Sequence, residues 1–126
     1  MASELTVQAR ITFVKGQASL DEKTSRTATI TGTRCCDYVA SIATSDTPLG
    51  FGDMTSTGVG YVMLQNLDPT NYVEVTFDAG ASYPIKLEAG SSGQPGGTAL
   101  FPNNGKTIKC KANLGACDVS IRAVIL

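Results

Sequence analysis

The chain has 126 residues, 42% of them hydrophobic and 17% charged, with a formal net charge of −1 and no histidine. That length suits one domain with a buried core. The charge balance excludes the basic face that a phosphate-tracking nucleic-acid binder needs, and no run approaches the roughly 18 apolar residues of a membrane helix.

The charged share lies below the usual quarter or so, and Thr, Ser, Gly and Ala fill the gap. A surface poor in charge suits a protein packed against others; an ordinary Thr-rich β protein has the same composition. The first residues, MASELTVQAR, carry Glu4 and lack the apolar segment of a secretory signal. We therefore expect the protein to be made and kept in a cytoplasm, or to leave it by lysis.

LTVQARITF alternates strictly: Leu5, Val7, Ala9, Ile11 and Phe13 are apolar, with polar residues between them. Period-2 alternation predicts a half-buried strand. VKGQASLDEKTSR is turn-rich and charged and reads as a loop; TATITGT, rich in β-branched residues, reads as a strand. Cys35 to Ile42 is a further strand, with Tyr38, Ala40 and Ile42 on one side. SDTPLGFGDMTSTGVG, punctuated by Pro48 and four glycines, is a loop.

GYVMLQNLDPTNYVEVTF reads as a hairpin: two apolar alternating runs flank a polar turn built on Asn66, Asp68, Pro69 and Asn71. The chain turns again at 78–82 with Gly80, and a short strand follows over 83–87. EAGSSGQPGG is a loop, 99–101 a brief strand, and residues 107–112 and 117–126 a last hairpin around Asn113, Leu114 and Gly115. Val119, Ile121, Ala123 and Ile125 share one face of the final strand. About eight short strands and no capped helical window predict an all-β fold, an antiparallel β-sandwich of jelly-roll-like type, in a single domain over 1–126.

The residues offer little chemistry. Without histidine there is no common general base and no Ser-His or Cys-His nucleophile pair. The acids Asp21, Glu22, Asp46, Asp53, Asp68 and Asp78 fall in predicted loops, where turn chemistry explains them better than a glycosidase pair. Asp68 and Asn71 do not match the alternation of a calcium loop. Gly105-Lys106-Thr107 ends like a phosphate-binding loop, but Leu100 stands where its first glycine belongs and a strand pattern follows. The Gly-rich tract 90–97 lacks the dinucleotide order. Lys106, Lys109 and Lys111 cluster on a strand-like run facing solvent. We expect no enzyme, and no catalytic, cofactor-binding or metal-binding residues.

The cysteines are Cys35, Cys36, Cys110 and Cys117, and neither pair has zinc-ligand spacing. A hairpin turning at Leu114 and Gly115 sets Cys117 opposite Ala112 and Cys110 opposite Val119. The two sulfurs are then diagonal neighbours, about 7–8 Å apart at Cα, at the limit for a disulfide. A bulge-closed disulfide, buried free thiols and bonds between subunits all stay open.

The second half of the chain resembles a group of small structural proteins of tailed bacteriophages. The stretches that carry the likeness are GYVMLQNLDPTNYVEVTF, YPIKLEAG, ALF and IKCKANLGACDVSIRAVIL, in that order, covering residues 57–126. The first half fits only loosely, through TVQARITFVKG and TATITGT. This chain departs from the group in its SSGQPGG insertion and in Cys110 and Cys117. The resemblance implies a virion component assembled in the host cytoplasm. It would be a capsid decoration (cement) protein on the major capsid protein, or a neck, tail or fibre protein, and a homo-oligomer in either case. Contacts are expected from the loops at 48–60 and 90–97. A carbohydrate-type ligand-binding β-sandwich is the other class; it needs aromatics exposed on one face, whereas Phe13, Phe77 and Tyr61 occupy core-like positions.

Overall fold

The computed structural model describes residues 5–28, 35–51, 59–91, 93–103 and 106–125. Every regular element among them is a β-strand. The chain divides into two compact units, Met1–Thr33 and Arg34–Leu126.

In the first unit, β1 (Leu5–Lys15) and β2 (Ala18–Ala28) form a long antiparallel hairpin. Its turn at Gly16 and Gln17 places Gly16 at φ 59°, in the left-handed region that glycine occupies without penalty. The segment expected as a loop after Phe13 is therefore this turn and β2. Its charged residues belong to a strand with wet surroundings, where burial does not set the alternation. The strand expected over 27–33 overlaps the end of β2, and its remainder lies outside the described residues.

The second unit carries β3 (Cys35–Ile42), β4 (Thr47–Pro48), β5 (Val59–Asn66), β6 (Val73–Thr76), β7 (Ile85–Leu87), β8 (Thr98–Pro102), β9 (Lys109–Ala112) and β10 (Cys117–Ile125). They form two antiparallel four-stranded sheets in a sandwich-like arrangement, ordered β3-β10-β5-β8 and β4-β9-β6-β7. The pairing is nested: β3 with β10, β4 with β9, β5 with β8, and β6 with β7.

This order corrects two expected hairpins. β5 and β6 do not pair; β5 lies between β10 and β8, and β6 between β9 and β7. Likewise β9 and β10 lie in opposite sheets. Alternation tells which face of a strand is buried and says nothing of its neighbour. Val62 and Leu64 of β5 and Val73 and Val75 of β6 do face one core, but from opposite sides of it.

That core also takes Ile42, Leu87, Ile108, Cys110, Ala112, Cys117, Val119, Ile121 and Ala123. Phe77 and Phe101 meet edge to face across the two sheets, their ring centroids 5.4 Å apart. Leu49 and Phe51, expected in a loop, are buried here too. Beside them the Tyr38 hydroxyl donates to the Gly50 carbonyl. The rest of that loop, 52–58, lies outside the described residues.

Candidate interaction surface

The polar residues weighed as ligands or acids serve the fold. Asn66 is fully buried at the end of β5. Its Nδ2 donates to the carbonyls of Asn71 (2.9 Å), Leu87 (3.1 Å) and Glu88 (3.2 Å), and its Oδ1 accepts the Asp68 N–H at 3.0 Å. Asp68 Oδ2 then accepts the N–H groups of Thr70 (2.9 Å) and Asn71 (2.6 Å), which holds its carboxyl below the usual range. The NLDPTN stretch is thus turn chemistry, with Asn66 as its buried anchor.

Asp78 works the same way after β6. It accepts from the Ser82 hydroxyl at 2.6 Å, the Thr76 hydroxyl at 2.7 Å and the Ser82 N–H at 2.9 Å. These bonds bring its pKa down to about 2. Tyr83 donates to Asp46 Oδ1 at 2.6 Å, and that bond pushes its phenol up to about 12. Asp21 is clamped by Arg10, whose Nε and Nη2 each reach a carboxylate oxygen at 3.0 Å. Asp53 and Gly105 lie outside the described residues, and Lys106 and Thr107 lead into β9 with no helix. An open groove of about 500 Å³ runs past Asp78, Lys106 and Lys109, but the oxygens of Asp78 are already engaged by Thr76 and Ser82. Among the described residues no three His, Cys, Asp or Glu side chains converge as metal ligands.

All four cysteines are free thiols. Cys110 and Cys117 are both buried, one in each sheet, so the diagonal pairing across a last hairpin does not arise. Burial pushes Cys110 up to about 12 and raises Cys117 and Cys36; Cys35 is exposed.

The loop at 90–97, expected at a partner contact, is tied into the molecule. Gly90 N–H donates to the Asp68 carbonyl, Gly96 N–H to Asn66, and Gly97 N–H to Glu88. A Cβ on Gly96 would lie 2.5 Å from the Asn66 carbonyl oxygen, and one on Gly97 2.7 Å from the Glu88 nitrogen. The paired glycines are there for close backbone approach.

What the fold leaves for a partner is a contrast between its two outer faces. On the β4-β9-β6-β7 sheet, Glu74 sits between Lys86 and Lys111, and those lysines lie over the rings of Tyr72 and Tyr83, each 4.3 Å from the centroid. Such a face is well hydrated. On the β3-β10-β5-β8 sheet the register lays out three rows: Cys35–Val124–Tyr61–Pro102, Asp37–Arg122–Met63–Leu100, and Val39–Ser120–Gln65–Thr98. Val39 and Leu100 are exposed there, and Tyr61, Met63 and Val124 half-buried. Its Arg122–Asp37 pair, at 3.2 Å and exposed at both ends, adds little energy. From strand spacing the apolar part covers roughly 300 Å², the size of patch that on monomers is often functional. Tyr61, expected inside, belongs to this outer face.

The chain matches no protein-family model, no curated protein and no solved structure.

Proposed function

We propose that this chain is a structural protein of a bacteriophage particle, a capsid decoration (cement) protein that fastens to the lattice of the major capsid protein. The observation that carries the reading is the apolar patch of Val124, Tyr61, Pro102, Met63 and Leu100 on the outer face of the β3-β10-β5-β8 sheet, set against a charged opposite face. A decoration protein acts through area buried on its neighbours, and such a face can supply that area. The likeness of residues 57–126 to small phage structural proteins names the class of partner. The nested strand pairing supports a jelly roll, an architecture found in viral capsid domains.

The same architecture also hosts lectins, and Tyr61 on the outer face favours a carbohydrate-binding module as the second reading. Copy number separates the readings. Purified virions are expected to contain hundreds of copies by quantitative mass spectrometry. A few dozen would place the protein in the neck, tail or fibre, and none would refute a virion role. Binding on a glycan array would favour the second reading.

A further inference from the structure

Natural sheets blunt their edge strands with shortness, proline or lysine, and most edges of the sandwich follow that habit. β4 is two residues long and ends on Pro48, β7 is three residues long, and β8 ends on Pro102. β3 is the exception. It runs eight residues, CCDYVASI, with no proline, glycine or lysine, and pairs with β10 without a register shift.

The ladder shows what its free edge presents. The Asn66 N–H donates to the Gly97 carbonyl and the Asn103 N–H to the Gly60 carbonyl, so the even-numbered residues of β5 turn their backbone groups toward β8. The odd-numbered ones turn toward β10. Carried across the register, the odd-numbered residues of β10 face β3, and Cys36, Tyr38, Ala40 and Ile42 of β3 face β10. Asp37, Val39 and Ser41 therefore hold their N–H and C=O groups out along the free edge. The core also runs short here. Cys36, Tyr38 and Ala40 pack against it yet stay half-buried, whereas their β10 partners Ala123, Ile121 and Val119 are buried.

We propose that this edge is a self-association surface: two copies of the chain pair β3 on β3, antiparallel, about a two-fold axis at Val39, so that their outer sheets become one. The occupant is a second copy because the strand is complementary to itself. An isologous contact sets inward residues against inward residues. With the axis at Val39 these are Tyr38 on Ala40 and Cys36 on Ile42 of the second copy, none of them charged. On the outer side Val39, 56% exposed, meets its own copy. Asp37, held at 3.2 Å by Arg122 on one flank, gains the Ser41 hydroxyl of the second copy on the other. Moving the axis to Tyr38 sets Asp37 beside Val39, and moving it to Asp37 sets two carboxylates directly opposite, which is destabilising. The pairing ends after Ser41, because the Ala43 N–H is taken by Thr47 and its carbonyl by Ala112. The contact uses up the β3 edge of both copies and so closes at a dimer. The paired stretch is about 24 Å of strand and buries on the order of 600–900 Å² in all, the weak class of interface. Association is therefore concentration-dependent. It is independent of the virion reading.

Sedimentation velocity and amide hydrogen exchange on the purified full chain, without phage, test it. Wild type is expected to show a monomer–dimer equilibrium. The N–H groups of Asp37, Val39 and Ser41 should exchange at least tenfold more slowly in concentrated than in dilute solution. Val39→Pro removes the donor at the axis from both copies, and an edge strand tolerates proline where its N–H faces solvent. Val39→Lys sets two like charges at the axis. Each should weaken association at least tenfold. Val39→Lys changes an exposed side chain, so its melting temperature at dilution should stay within a few degrees of wild type; it decides the matter if Val39→Pro does not fold. Wild type that stays monomeric up to about 1 mM overturns the proposal. So does association that Val39→Lys leaves intact, or exchange at those amides that does not slow with concentration, since either places the contact on another face.

Discussion

Asn66 joins three segments through one amide: its own strand end, the turn at 67–72 and the chain after β7. Replacing it with Ala takes a donor from the Leu87 and Asn71 carbonyls and the acceptor from the Asp68 N–H, while the Glu88 carbonyl keeps the Gly97 N–H. At about 1–3 kcal/mol per buried orphan, Asn66→Ala should cost on the order of 3–5 kcal/mol in denaturant unfolding. The turn role of NLDPTN was legible, because Asp and Asn bond nearby backbone by habit. The bonds to Leu87 and Glu88 were not, since nothing local marks a partner some twenty residues away. Asp78 brings a pH dependence. Its folded pKa of about 2 lies below its ordinary 3.8, so the stability it contributes is complete above that ordinary value. It is lost as pH falls through the window toward the folded pKa. Melting temperature should drop through that window, and Asp78→Asn should flatten the drop.

Within the second unit, the strands were largely legible and their neighbours were not. The inward series Cys36, Tyr38, Ala40 and Ile42, and Val119, Ile121 and Ala123, follow directly from alternation. The jump of β6 and β10 to the sheet opposite their predecessors does not, because both ends of such a corner look like the two arms of a hairpin. β2 was missed for another reason: Glu22, Thr24 and Arg26 stand where a core strand would show apolar residues. The sheet assignment of the cysteines predicts their reactivity. Alkylation of the native protein near pH 8 should label Cys35 quickly, whereas Cys110 and Cys117 react only after unfolding; prompt labelling of all four cysteines would contradict the burial. The turn after β6 offers a second check. Ala79 at φ 59° and Gly80 at φ 92° are the two positive-φ residues of a type I′ turn. Ala79→Gly should stabilise by about 0.5–1 kcal/mol by relieving the left-handed strain. Gly80→Ala should destabilise, since its Cβ would lie 2.5 Å from Asp46 Oδ2.

Residues 1–33 and 34–126 are each a compact unit, so deleting residues 1–33 should leave the melting temperature of the sandwich within a few degrees of the full chain. The sandwich's apolar outer face makes a separate prediction. Leu100→Lys alters an exposed side chain, where substitutions usually shift stability by about 0.5 kcal/mol or less, and Met63→Lys a half-buried one on the same face. Both should nevertheless abolish retention on phage particles in a pelleting assay; full retention would dissociate this face from capsid binding. One feature of the topology bears on how the chain is made. β10 is an interior strand, flanked by β3 and β5, and without it these two strands have no link to each other. A ribosome delivers the chain from its N-terminus, so β3 and β5 wait, unbridged, until residue 125 has left the exit tunnel. The sandwich closes in one late step, and pairings so distant in sequence are slow to find. Through that wait the nascent strands are exposed to neighbouring chains on the same message. Pulse-labelled ribosome-bound chains should accordingly remain protease-sensitive throughout β3 to β9, and gain resistance only once β10 has emerged from the exit tunnel.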